Sequence, residues 1–304
     1  MTIYSDVFAR KEMKYRLDAG QQTVLRSVVN ERLHPAEFGF SQVRSLYYDT
    51  PDHSLIEHSL DGPLYKEKLR LRVYGSPSAD AQAFIEIKKK FRGIVYKRRV
   101  SMTLAAAEAY SAGVCYEYAC ALAPLADPGA AAQSLSSRSM QIAREIDFFR
   151  ERYRNLAPSM LVVCDRSAFS DTEGDLRITF DVGIAADPCA RTLDSTEGCA
   201  AIIDSGEAIM EIKNAGPLPA WLVAALGEAQ AYPQSFSKYG TAYMKLLGDQ
   251  AADRQAVGPV AAGVAVEAPE RGFGLPAARL RRPVGAREPV ACASRNNERS
   301  KTCA

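Results

Sequence analysis

Histidine is scarce in this 304-residue chain: His34, His53 and His58 are all there is, and they lie in one early region. That leaves no defensible catalytic triad and no His-based metal set. The seven cysteines (Cys115, Cys120, Cys164, Cys189, Cys199, Cys292 and Cys303) are odd in number and form no CxxC pair. Reduced thiols are therefore expected. No run approaches the ~20 apolar residues of a membrane span. The opening "MTIYSDVFARKEMKYRL" lacks the apolar core of a signal peptide, so a cytoplasmic protein without a direct membrane span is expected. Net charge is low as well, at +2, which argues against a uniformly basic surface.

The charge that is present is unevenly placed. Residues 251–304 hold nine Lys/Arg and five Asp/Glu, leaving 29 basic and 31 acidic residues in the first 250. Within that slightly acidic body, residues 66–99 carry eleven Lys/Arg against three acids. Such segregation focuses a field and implies an anionic partner. Residues 251–304, rich in Ala, Pro, Gly and Arg, show no periodicity and are expected to be a disordered tail. Residues 1–250 are expected to form the folded domain.

In "KLRLRVYG", Lys68, Arg70 and Arg72 alternate with Leu69, Leu71 and Val73. On a strand this puts the cations on one face and the aliphatics on the other. Further strands are expected at 9–17, 42–50, 83–90, 93–102, 160–170, 176–184 and 208–214, with helices at 18–33, 104–124 and 135–156 and closing helices after 218. Several of these strands repeat the ionic face: Glu12 with Lys14, Glu86 with Lys88 and Lys90, Lys97 with Arg99, Arg177 with Asp181, Glu211 with Lys213. About eight strands on short connections favour an antiparallel sheet or barrel. A solvated open face is the bland alternative. The bias towards Lys and Arg favours charges that face inward, because cations facing one another need an anion between them. The expected fold is thus α+β, mainly β: a closed antiparallel eight-stranded barrel with flanking helices and a basic interior. Glu12, Glu86, Asp181 and Glu211 are then either metal ligands or internal counter-ions.

The motifs "KEMKY", "YYDT", "KLRLRVYG", "FIEIKKK", "DRSAF", "RITFD", "MEIK" and "FSKY", in this order, resemble the vacuolar transporter chaperone (VTC) polyphosphate polymerase domain, a branch of the triphosphate tunnel metalloenzymes related to the CYTH phosphatases and cyclases. The resemblance covers roughly residues 8 to 247. It implies a barrel around a basic tunnel that binds triphosphate or polyphosphate with Mn²⁺ or Mg²⁺. It carries Lys14, Arg70, Arg72, Lys88, Lys97, Arg166, Arg177 and Lys213 over as tunnel residues, Ser237 and Lys238 as phosphate contacts at the tunnel mouth, and Glu211 as the metal ligand. Arg99 shares the face of Lys97 and joins the phosphate-binding set on that ground. Cys164 stands where many members have Tyr, and Glu12-Met13-Lys14 replaces the fuller ExExK opening of the CYTH relatives.

The chemistry so implied is phosphoryl transfer from ATP to a polyphosphate end, with Arg70, Arg72, Lys88, Arg166 and Arg177 nearest the reaction. Positioning and charge neutralisation carry such a step, which accounts for the missing nucleophile. Triphosphate hydrolysis and non-catalytic nucleotide or polyphosphate sensing are the alternatives. Nucleic acid is not expected, since the basic strands lack an interleaved aromatic platform. A membrane-protein partner is left open.

Overall fold

The computed structural model describes residues 11–92 and 94–256. The strands are β1 (Lys11–Leu17), β2 (His34–Asp49), β3 (Tyr65–Tyr74), β4 (Gln82–Phe91), β5 (Ile94–Thr103), β6 (Ala157–Ser170), β7 (Leu176–Asp187), β8 (Ala200–Ala201) and β9 (Ala208–Asn214). They form one antiparallel sheet in the order β1-β9-β7-β6-β2-β3-β4-β5, with the short β8 beside β7. Every expected strand is present, and β2 extends further towards the N-terminus than the expected 42–50.

The sheet curls but does not close, so the expected closed eight-stranded barrel is replaced by an open half-barrel. Among the described residues, the edge strands β1 and β5 exchange no ladder hydrogen bonds. Lys14 on β1 and Lys97 on β5 place like charges on the two edge strands, and like charges brought opposite one another disfavour pairing. Only side chains cross the gap, with Lys88 on β4 reaching Glu12 on β1 at 3.8 Å.

The outer face is covered by helices, as its aliphatic residues require. Leu69, Leu71, Val73, Ile85, Ile87, Val100 and Met102 pack under α3 (Leu104–Ser111), α4 (Tyr116–Leu122) and α6 (Ser137–Arg152). Each fully buried side chain of this kind contributes about 1.5–3 kcal/mol. At the other end, Tyr15, Leu17, Ile178, Phe180, Met210 and Ile212 pack under α1 (Ala19–Arg32) and α7 (Ala220–Glu228). Helix α1 starts where Asp18 accepts from the Gln21 amide at 2.8 Å and Gln21 returns the bond at 3.0 Å, a capping box. The single helix expected over 104–124 is two, because Gly113 sits at φ 105° and ends α3. Helices α2 (Ser54–Leu60) and α5 (Pro128–Ser134) were not anticipated.

A third apolar cluster lies on the ionic side of the sheet. Val43, Tyr47, Met160, Val162 and Cys164 pack there against Ile56 of α2 and Tyr239, Ala242 and Tyr243 of α8 (Lys238–Ala256). Helix α8 thus fills one end of the half-barrel. It runs to Ala256, past the expected domain boundary at residue 250. The remainder of the expected tail, from 257, lies outside the described residues.

Candidate active site: a cation-lined groove

Strand register assembles the groove. Tyr47 lies opposite Arg70, Arg70 opposite Glu86, and Glu86 opposite Arg99. On the other side Ser41 lies opposite Arg166, Arg166 opposite Asp181, Thr179 opposite Glu211, and Glu211 opposite Lys14. Alternation and these cross-strand pairings, across the register shifts on β2 and between β6 and β7, bring these side chains onto the inner face.

Three cations converge on Glu86, which is 1% exposed. Arg70 Nε donates to it at 2.6 Å, Lys97 forms an ion pair with it, and Arg72 lies 3.9 Å away. Burial opposes the charge, but Arg70, Lys97 and Arg72 hold the carboxyl well below the usual range. Arg72 also donates to Ser45 at 3.0 Å. Arg99 stacks over the Phe84 ring at 4.6 Å, a cation–π contact that aims its charge along the groove wall.

Asp181 is the counter-ion on the far wall. Arg166 holds it with two bonds of 2.6 and 2.7 Å, and Lys238 of α8 pairs with it as well. The segment before α8 gathers further cations. Lys68 donates to Ser237 Oγ at 3.0 Å, and Lys14 donates to the Phe236 carbonyl at 3.0 Å. Ser237 and Lys238 therefore stand at the closed end of the groove. Burial pushes the Lys97 ammonium down to about 7 and that of Lys68 down to about 8.

Along the seam wall, Glu12 lies 3.3 Å from Lys14, 3.8 Å from Lys88 and 4.0 Å from Lys213, which also pairs with Glu211 at 2.5 Å. Burial and the neighbouring Glu211 carboxylate raise the Glu12 carboxyl, but Lys88, Lys213 and Lys14 outweigh them and hold it below its ordinary value. Burial likewise raises Glu211, and Lys213, Lys14 and Arg166 hold it well below. No group of three or more His, Cys, Asp or Glu side chains suited to a metal occurs among the described residues. Glu211 and Glu12 do offer two adjacent hard oxygen donors. Thr179, across the ladder from Glu211, has a buried hydroxyl with no hydrogen-bond partner. That donor set fits a Mg²⁺ or Mn²⁺ ion that takes its other ligands from phosphate and water.

Most of the expected residues thus meet in one groove: Lys14, Arg70, Arg72, Lys88, Lys97, Arg166, Lys213, Ser237, Lys238 and Glu211. Arg177 is in register with Lys213 but solvent-exposed, at the rim. Cys164 is buried in the apolar cluster, where burial pushes its thiol up to about 11, and it offers a ligand no strong donor. Two groove residues went unassigned from the sequence. Lys68 was visible in the alternation with Arg70 and Arg72. Tyr47 stood in the "YYDT" motif but drew no role from it, since its role depends on which strand lies beside it.

A sequence search against curated proteins finds no match. Among solved structures, the fold is similar to a putative adenylyl cyclase from Hippeastrum, HpAC1, described as having a dominant triphosphatase activity. The identity is 14%, with 78% of this chain and 97% of that one covered and a TM-score of 0.46. It is also similar to a putative adenylate cyclase from Vibrio parahaemolyticus, at 13% identity, 76% and 96% coverage and a TM-score of 0.40. The model of the VTC domain matches residues 9–247, the whole span that builds the groove, and the chain belongs to that family.

Proposed function

We propose that the groove binds a triphosphate or polyphosphate chain and that the protein is a metal-dependent polyphosphate polymerase, passing the γ-phosphoryl group of ATP to the end of a growing chain. The observation that carries this reading is the excess of inward cations over acids. Glu86 and Asp181 are each already shared by two or more cations. Among the described residues the hydrogen bonds of Lys68 and Arg72 go to hydroxyls, with Arg72 only at 3.9 Å from Glu86. Such an array lacks an anion, and a chain of phosphates supplies evenly spaced charges to it. Membership of the VTC domain family supports the same substrate class.

In this reading Arg70, Arg72 and Arg166 clamp phosphate oxygens in forked contacts, Lys88, Lys97, Arg99 and Lys213 add charge along the walls, and Lys14, Ser237 and Lys238 bind at the closed end. Arg177 meets the chain at the rim. Glu211, with Glu12, would hold Mn²⁺ or Mg²⁺, which neutralises and orients phosphate oxygens when bound. The open seam between β1 and β5 favours a second reading, triphosphate hydrolysis, because it gives water access to the same groove. Phosphorus NMR of the purified protein with ATP and Mn²⁺ separates the two. A polymerase yields the resonance of internal chain phosphates and a hydrolase yields orthophosphate. Unchanged ATP would sink both.

A further inference from the structure

The phenol of Tyr47 is 5% exposed and stacks on Tyr239 of α8, with ring centroids 4.6 Å apart and planes 18° from parallel. Its oxygen accepts from Arg70 at 3.1 Å. Its own proton goes to no acceptor among the described residues. The groups around it are cations: Arg70 and Arg72, on adjoining β3, and Lys68, whose ammonium lies 5.8 Å from the Tyr239 ring. A buried hydroxyl with an unused proton is an incomplete hydrogen bond. The charged groups around it are all donors, so an anionic ligand oxygen would complete it.

We infer that Tyr47 is a further substrate-contacting residue, donating its phenolic proton to a phosphate oxygen held by Arg70, Arg72 and Lys68. The inference rests on the reading of the groove as a triphosphate site and adds a neutral donor to its cations. Such a donor binds an oxygen without adding to the repulsion among Arg70, Arg72 and Lys68 in the empty protein. The position is fixed by two rigid partners, the Arg70 fork on one side and the Tyr239 ring on the other. Burial raises the phenol, but Arg70, Arg72 and Lys68 outweigh it and bring Tyr47 down to about 8. A phenol so acidified is a strong hydrogen-bond donor, and a phosphate bound beside it opposes its ionisation.

The test uses the whole chain and inorganic triphosphate as probe. Tyr47→Phe keeps the ring, its stacking and its burial, and Tyr48→Phe is the control, since Tyr48 points to the other face and bonds Ser111 at 3.3 Å. Calorimetry should show Kd raised roughly tenfold or more in Tyr47→Phe, the size of one hydrogen bond to a charged acceptor, and unchanged in Tyr48→Phe. Ultraviolet difference titration of the free wild type should show a tyrosine ionising near pH 8 that is missing from Tyr47→Phe and moved upward by triphosphate. Tyr74 beside Arg72 is also acidified, so the signal is assigned by its loss in the variant. Equal affinity of wild type and Tyr47→Phe, or an ionisation that triphosphate does not move, overturns the role of Tyr47 and leaves the groove's reading standing. A wild type that binds no triphosphate overturns both.

Discussion

The two walls of the groove solve the burial of carboxylates differently. On the β3–β4–β5 wall one acid, Glu86, is surrounded by Arg70, Lys97 and Arg72. On the β1–β9 wall two acids, Glu12 and Glu211, sit together among Lys14, Lys88 and Lys213. The first arrangement has negative charge in deficit and holds its cations in place with a structural counter-ion. The second has two carboxylates that repel each other and gains from any divalent cation placed between them and a phosphate. In the proposed reading this difference makes the first wall the one that chiefly grips the anion and the second the one suited to a metal.

The sharpest way to break that comparison is to delete the structural acid. Glu86→Ala leaves the largely buried Arg70 and Arg72 without a carboxylate and Lys97 unpaired, and stranding buried charge costs about 3–5 kcal/mol. A fall in Tm of many degrees is expected, and added triphosphate should restore much of it by supplying the missing anion. An unchanged Tm would show that Glu86 does not organise this wall.

Arg70 and Arg72 should then part company. Each loses a charge-assisted contact to phosphate, about 1.5–3 kcal/mol of binding. Arg70→Ala also frees Glu86, which it grips at 2.6 Å, whereas Arg72 bonds Ser45 and stands 3.9 Å from Glu86. Both substitutions should weaken triphosphate binding in calorimetry, and only Arg70→Ala should also lower Tm appreciably. Equal melting of the two variants would mean that the Glu86 pairings matter little.

Period-two alternation made the inner face legible from sequence. Lys14, Arg70, Lys88, Lys97 and Lys213 fall on one face because strand geometry alternates them with their aliphatic neighbours, whereas Arg166 was legible only through the family resemblance. Closure was not legible, because it depends on the balance between edge hydrogen bonds and repulsion across the seam between Lys14 and Lys97. Alternation says which way a side chain points, not which distant strand it meets. For the same reason Tyr47 escaped notice: its significance comes from Arg70 on β3 and Tyr239 on α8, neither of them near it in sequence. Helix α2 is too short for a periodic signal. Its amides at Leu55 and Ile56 are held by Asp49, at 2.9 and 3.0 Å, a tertiary cap on a short element.

Glu211→Gln tests the other wall. The substitution keeps shape and volume and removes the charge that a hard cation needs. If Glu211 holds the metal, the Mn²⁺ dependence of turnover should be lost or shifted to much higher Mn²⁺, while metal-free triphosphate binding is kept or tightened. A role confined to pairing Lys213 would instead lower Tm and leave the Mn²⁺ titration in place. The second pattern would move the metal to Glu12 or Glu86.

The smallest expected effect is a pH dependence that runs in opposite directions for the empty and the loaded groove. Burial places the folded ammonium of Lys97 at about 7, below its ordinary 10.5. Above about 7 the unfolded chain therefore holds more protons at this site than the folded one does. Stability of the empty protein on this account rises as pH climbs from about 7 towards 10.5. Binding moves the other way, since a neutral Lys97 no longer attracts phosphate, and an anion bound beside it draws the proton back. Calorimetry near pH 8 in buffers of different ionisation enthalpy should therefore report proton uptake with triphosphate. Lys97→Arg keeps its charge throughout this range. It should reduce that uptake, flatten the fall in affinity with pH, and leave the part due to Lys68 and Tyr47. Uptake identical in wild type and Lys97→Arg would show that Lys97 is fully charged in the empty groove, and that the Glu86 carboxylate outweighs its burial.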